Sequence, residues 1–219
     1  MATLTTAPAV QQREDIKVSL TSFADYLFKS GPPKLNCVSR IRQQYRSGYN
    51  PGLDYYKIFR DAIRGIHSTG LPLSELDTVV DGLSSDAKKI NYQLLVKGYT
   101  RFWCRNFAEQ APRWFLPDRK DWAYGGVTIK VNPELGFVSE NTGETYVIKM
   151  YNKKEPIKKR QLDILLHLMQ LTLHEDPYAS SMAVLDVRRG KLFEASSFNE
   201  PFTTLLEAEA LAFERLWRG

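Results

Sequence analysis

The chain is poor in the residues that usually announce chemistry. Its 219 residues contain two cysteines, Cys37 and Cys104, too few for a disulfide framework and without zinc-ligand spacing. Both fall in apolar helical contexts and read as buried thiols of a chain kept in a reducing, cytoplasmic compartment. The three histidines, His67, His167 and His174, lie far apart and have no ligand spacing. No GxGxxG, GxxxxGK[ST], HExxH or GxSxG motif occurs, so a phosphate-cradling loop, a zincin helix and a nucleophile elbow all lack support. The pair Gly125-Gly126 reads as a tight strand entry. No apolar run approaches the ~18 residues of a membrane-spanning helix, and no membrane partner is expected. The first twelve residues have neither a basic start nor a long apolar region, which argues against a signal peptide. Residues 1–14 read instead as a polar, disordered tail.

What is present is the composition of a globular chain. Hydrophobic residues make up 43%, enough to bury a sizeable core at this length. The net charge of +5 points weakly to anionic partners. Residues 15–219 read as one α/β domain, with a helical part over 15–111 and a sheet-containing core over 112–219.

The core is organised around residues 125–173. Val127, Ile129 and Val131 alternate with Thr128 and Lys130, the pattern of a half-buried strand. Asn132-Pro133 interrupts it, because proline cannot donate to a ladder. Apolar character resumes over 135–138, and Glu140-Asn141-Thr142-Gly143 reads as a turn. Residues 145–151 (TYVIKMY) predict a strand rich in β-branched and aromatic residues. Residues 157–173 predict a helix apolar around most of its girth, with a polar stripe of Arg160, Asp163, His167 and Gln170. Such a helix sits between layers. Strands follow at 182–187 and 192–195, joined by a turn at Arg188-Arg189-Gly190. A final helix opens on the capping box Thr204 to Glu207.

Upstream, residues 15–20 read as a short strand or lead-in, and a helix over 23–28 has Ser22 as its cap and Gly31-Pro32-Pro33 as its stop. Asn36 caps a helix to Arg46, Asn50-Pro51 opens one to His67, and shorter and longer helices cover 73–80 and 86–107. Residues 112–124 read as a connection and 174–181 as a loop.

This order of helices, then β, β, α, β, α, resembles the PD-(D/E)XK nuclease superfamily in its RecB-like branch. The resemblance covers residues 125–217 and implies a mixed central sheet flanked by helices. Active members carry an acid near a proline on one strand and acid-x-Lys on the next. A Gln often opens the following helix. The acids hold a divalent metal, and the lysine orients water and phosphate. Carried over, the Asn132-Pro133-Glu134 segment makes Glu134 the first acid and metal ligand. Gln161 matches the helix Gln. Lys149, however, stands where the second acid belongs, and Tyr151 stands in place of the lysine.

The departure implies a degenerate site in which Glu134 and Lys149 form an ion pair across neighbouring strands. A rearranged, Mg²⁺-dependent nuclease site would need a further acid, from Glu144, Glu140 or Asp163. His167 and Asp163, one turn apart, read as a polar stripe against the sheet or as an acid/base pair. Basic groups occur at Arg40, Arg42 and Arg46 near Tyr45 and Tyr49, and at Lys57, Arg60 and Arg64 near Tyr55 and Tyr56. The group formed by Lys153, Lys154, Lys158, Lys159 and Arg160 lies where the family's nucleic acid passes. The expected function is therefore binding of nucleic acid without catalysis or cofactor. A metal-dependent nuclease and a protein-interaction module without nucleic-acid binding are the alternatives.

Overall fold

The computed structural model describes residues 15–48, 54–107, 112–173, 181–196, 198 and 200–219. The readings placed on residues 1–14, on Tyr49, on Asn50-Pro51 and on the loop from His174 lie outside that set. The architecture is mixed α/β, with helices flanking two sheets.

Strands β1 (Ile16–Ser19), β3 (Lys120–Tyr124) and β4 (Val127–Val131) form a three-stranded sheet in the order β1-β4-β3. The larger sheet has the order β2-β5-β6-β7-β8, built from β2 (Arg113–Phe115), β5 (Leu135–Val138), β6 (Thr145–Tyr151), β7 (Ser181–Asp186) and β8 (Lys191–Glu194). One run of chain serves both. It leaves the small sheet at Val131, turns through Asn132-Pro133-Glu134 and enters the large sheet at Leu135. The central pair, β6 and β7, is parallel, with Tyr146 opposite Ser181 and Tyr151 opposite Asp186. Helix α6 (Lys159–Leu173) connects them, while β5–β6 and β7–β8 pair antiparallel.

Because side chains alternate along a strand, β6 and β7 serve two cores at once. Val147, Tyr151, Met182 and Val184 join a core with α6, the small sheet, α1 (Leu20–Leu27), α2 (Pro32–Arg46) and α7 (Glu200–Arg218). Ile148, Met150, Ala183 and Leu185 join a second core with α3 (Lys57–Thr69), α4 (Glu75–Asp81) and α5 (Asp86–Asn106). A sheet covered on both faces explains why TYVIKMY and SMAVLD read as near-continuous apolar runs.

Several boundaries differ from expectation for identifiable reasons. Residues 112–124 are not a mere connection, since they hold β2 and β3. Trp122 and Tyr124 alternate with exposed Asp121 and Ala123, a half-buried pattern too short to stand out. Gly125-Gly126 is the hairpin turn between β3 and β4, with Gly125 at φ 58. Helix α1 begins at Leu20, because Ser19 and not Ser22 is the cap: Ser22 N donates to Ser19 Oγ at 3.1 Å. Pro32 and Pro33 open α2, where proline's missing N–H costs nothing, and Gly31 supplies the φ of 58 before them. Helix α7 starts at Glu200, so Thr204 lies inside it. Cys37 is buried, but Cys104 is exposed on α5. Among the described residues no helix is long and apolar enough to cross a membrane.

Two features of the α3–α5 core have measurable consequences. The first is the close approach of α5 to the turn Val187–Arg189. A Cβ at Gly98 would lie 1.9 Å from the Val187 carbonyl oxygen and 2.7 Å from Arg188 backbone atoms. A backbone cannot yield as a side-chain tip can. Gly98→Ala should therefore destabilise by about 2–3 kcal/mol or more, although alanine gains up to about 1 kcal/mol of helix propensity. Gly65 in α3 has nothing within 4 Å of such a Cβ. Gly65→Ala should stabilise by about 0.5–1 kcal/mol. Chemical denaturation of both variants checks this, and equal effects would contradict the packing.

The second is His67. Burial lowers its pKa from 6.5 to about 4, and its Nε2 shares a hydrogen bond of 2.6 Å with the fully buried Tyr99 hydroxyl. Between those values the unfolded chain binds a proton that the folded chain does not. The stability from neutral His67 is thus complete above pH 6.5 and is lost as pH falls toward 4. Burial also lowers the pKa of His167, which adds with the same sign. After discounting for the partly exposed ring, acidification from pH 7 to 4.5 should cost on the order of 2 kcal/mol through His67. The urea midpoint should fall accordingly, and His67→Phe should flatten the profile. A profile of unchanged slope in that variant would show that His67 is not the titrating group.

Candidate functional site

Glu134 and Lys149 meet, as the sequence led one to expect. Both are 4% exposed, and Lys149 Nζ lies 2.6 Å from Glu134 Oε1. Local structure dictates the encounter. Lys149 sits on β6, the middle strand of the large sheet, on the face it shares with Val147 and Tyr151. Glu134 sits at the crossing between sheets, one residue before β5. The ammonium also donates to the Asn132 carbonyl at 2.9 Å and to Asn132 Oδ1 at 3.3 Å. Its three donors thus have three acceptors.

Glu134 is equally committed. Oε2 accepts from Met150 N at 2.8 Å, and Glu134 N donates to the Ile148 carbonyl at 3.0 Å. Its own carbonyl accepts from Arg64 Nε of α3 at 3.3 Å. The carboxylate therefore extends the β5–β6 ladder by one rung past the point where Pro133 ends it. Burial lowers the Arg64 pKa, with the Glu134 charge acting against that and Arg119 adding to it.

This donor set does not fit a divalent cation at Glu134. One oxygen is held by Lys149 and the other by a backbone N–H, and a cation beside the carboxylate would face the ammonium directly. Among the described residues no group of three or more His, Cys, Asp or Glu is placed to hold a metal ion. The other acids considered are elsewhere. Glu144 Oε2 accepts from Tyr146 OH at 3.0 Å, Glu140 is exposed, and Asp163 pairs with Lys159 at 3.2 Å.

Gln161 serves the helix rather than the ion pair, since its Oε1 accepts from Lys158 N at 3.0 Å at the start of α6. His167 packs against α7, not the sheet. Its Nε2 shares a 2.8 Å hydrogen bond with Thr203 Oγ1, and its ring stacks on Phe198 with centroids 4.6 Å apart. No acid/base pair with Asp163 forms.

The basic residues divide by partner. In α3, Lys57 pairs with Asp61, Arg60 with Asp54, and Arg64 with Asp61. At the start of α6, Lys153 pairs with Asp25 of α1 and Lys159 with Asp163. Lys154, Lys158 and Arg160 are exposed and have no ion-pair partner among the described residues.

A second polar group, not anticipated from the sequence, sits where the parallel strands end. Asp186 is 1% exposed at the end of β7 and accepts from Arg189 at 3.1 Å and from Ile157 N at 3.5 Å. Arg189 also donates to the Lys154 carbonyl at 3.0 Å, which ties the strand ends to the segment before α6. Beside Asp186, the Tyr151 pKa is pushed up to about 12, first by burial and then by Asp186, Asp25 and Glu155. Asn152 is buried and its Oδ1 has no donor. The available signal was an acid closing an apolar strand, SMAVLD.

No protein-family model matches the chain, and no curated protein matches it in sequence.

The pair makes a direct energetic prediction. Removing one partner leaves a buried charge without compensation, so Glu134→Gln or Lys149→Met alone should cost about 3–5 kcal/mol. In the double variant Glu134→Gln/Lys149→Met, Gln still offers Met150 N an acceptor and no charge is left behind. Most of the loss should be recovered, giving a coupling of at least about 1.5 kcal/mol. Additive single effects in urea denaturation would mean that the two groups are not energetically linked.

Proposed function

We propose that this chain is a PD-(D/E)XK-like protein that binds nucleic acid and does not cleave it. The observation that carries the reading is the closed Glu134–Lys149 pair. The position that corresponds to the metal-binding acid in the resembled family is occupied, in charge and in hydrogen bonds, by a lysine of the next strand. A site of that kind keeps the strand geometry and gives up the ion, and with it the means of activating water.

Two further observations support the reading. Strand β6, helix α6 and parallel strand β7 follow the β5–β6 hairpin in the order the resemblance implies. The N-terminal end of α6, with exposed Lys154, Lys158 and Arg160, presents cations where nucleic acid passes in that family. Lys153 and Lys159 contribute less net charge, because each faces a carboxylate. The cations suit contact with phosphate, which is independent of sequence and weakens with salt.

Fluorescence-polarisation binding to labelled single- and double-stranded DNA and RNA at 50 and 200 mM salt tests this directly, with parallel gels in Mg²⁺ and Mn²⁺. The expected result is salt-sensitive binding with no cleavage. Metal-dependent cleavage would overturn the non-catalytic part. Absence of binding to any of the four nucleic acids would overturn the function and leave a protein partner in its place.

A further inference from the structure

The chain's excess positive charge is concentrated along the sequence. Between Asp25 and Asp54 there is no acidic residue, and the same interval contains Lys29, Lys34, Arg40, Arg42 and Arg46. Those five cations equal the whole net charge of +5, and one of them, Lys34, pairs with Glu209 of α7 at 2.6 Å. Four of the five lie on α2, whose sequence PPKLNCVSRIRQQYR contains no acid at all.

The helix divides by face, although Leu35 and Tyr45 are exposed as well. Cys37, Val38 and Ile41 are buried against α1 and α7. Ser39, Arg40, Gln43, Gln44, Arg46 and Ser47 are exposed, and Arg42 is half-buried. At 100° per residue these seven positions fall on one continuous arc. Ser39, Arg42, Gln43 and Arg46, at successive turns, line a hollow of about 290 Å³. Arg42 Nε is buried there and has no acceptor, and neither Arg40 nor Arg42 has an ion-pair partner among the described residues. An uncompensated guanidinium at the edge of a hollow is a donor awaiting an anion.

From this, and resting on the nucleic-acid reading above, we infer that the exposed face of α2 is a phosphate-contacting surface that grips the nucleic-acid backbone. The companions of the arginines favour that ligand over an anionic membrane. Ser39, Gln43, Gln44 and Ser47 are neutral hydrogen-bonding groups suited to phosphate and sugar oxygens. An interfacial helix, in contrast, must offer a broad apolar face to the lipid, whereas Cys37, Val38 and Ile41 of α2 are spent on the core and Leu35 and Tyr45 are the large apolar side chains it leaves exposed. The surface also borders the other cationic group. Helix α1 packs against both α2 and α6, and Asp25 of α1 holds Lys153 before α6.

The test compares Arg42→Gln/Arg46→Gln with Lys154→Gln/Lys158→Gln, each checked for native Tm and measured with a labelled DNA duplex at 50 and 200 mM salt. Each lost phosphate contact removes about 0.9 from the slope of log K against log salt. The α2 variant should therefore lower the ratio of Kd at 200 mM to Kd at 50 mM by about tenfold relative to the parent chain. If that variant loses its native Tm, Arg40→Gln, an exposed position, gives the same reading with a slope reduced by about 0.9. An unchanged slope in the α2 variants, with a reduced slope in the α6 variant, overturns this surface and leaves nucleic-acid binding intact. No binding by the parent chain removes both. Binding of the parent chain to phosphatidylserine vesicles and not to DNA overturns the inference in favour of a lipid surface.

Discussion

A lysine in the middle strand of a buried sheet is the constraint on which the rest of this structure depends. Taking an ammonium out of water costs several kcal/mol, and the fold must supply that cost locally. It does so by bringing the Asn132-Pro133-Glu134 turn over β6. There one carboxylate oxygen and two oxygens of Asn132 receive the ammonium. The same turn is where the chain passes from the small sheet to the large one. The charge pair therefore ties the crossing between the sheets to β6 as well as settling its own neutrality. A hydrophobic replacement could fill the space but would not specify where β4 ends and β5 begins. Glu134 adds register, because its second oxygen takes the Met150 N–H that β5 has stopped pairing.

Around this joint the large sheet is covered on both sides, and the covering is tight. On one side α6 runs antiparallel to its strands, as a parallel crossover demands, and α1 and α7 close over the small sheet. On the other side α5 comes within backbone contact of the turn after β7, at Gly98 and Gly190. The polar residues left inside are accordingly few, and most are tied: His67 to Tyr99, His167 to Thr203, Asp186 to Arg189. Asn152 Oδ1 is the exception at the strand ends.

Much of the core was legible in the sequence because its signals are strong ones. Alternation over 127–131, the Asn-Pro break, the β-branched run ending at Tyr151 and the apolar girth of α6 each report a buried environment through residue type alone. The ion pair was legible through the resemblance, which set an acid after the Asn-Pro break against a lysine on the next strand. What escaped had short or competing signals. Strands β2 and β3 are three and five residues long. Pro32-Pro33 fits a helix stop as well as a helix start, and it both follows the end of α1 and opens α2, so the start at Asn36 was the wrong choice, because the proline N–H is dispensable at a first turn. The cap at Ser19 was hidden by two further hydroxyl residues beside it. The polar cluster around Asp186 depends on residues from β7, the turn after it and the segment before α6, and proximity of that kind has no local signature.

Charge completes the argument in a way that composition alone cannot. A net +5 says little when averaged over the surface, but here pairing sorts the cations. Those of α3 face Asp54 and Asp61, and two of those before and within α6 face Asp25 and Asp163. The guanidiniums of Arg40 and Arg42 have no such carboxylate counterpart among the described residues, although Lys34 in the same acid-free interval pairs with Glu209. A folded chain gains nothing in stability from concentrating like charge on one helix face, since the repulsion is unfavourable at i, i+4 spacing. On the inference drawn above, an extended anion would turn that repulsion into attraction and release the counterions that otherwise screen it. Interior and exterior thus carry opposite solutions to one problem. Lys149 is neutralised within the fold, whereas Arg40 and Arg42 on α2 have no carboxylate partner among the described residues.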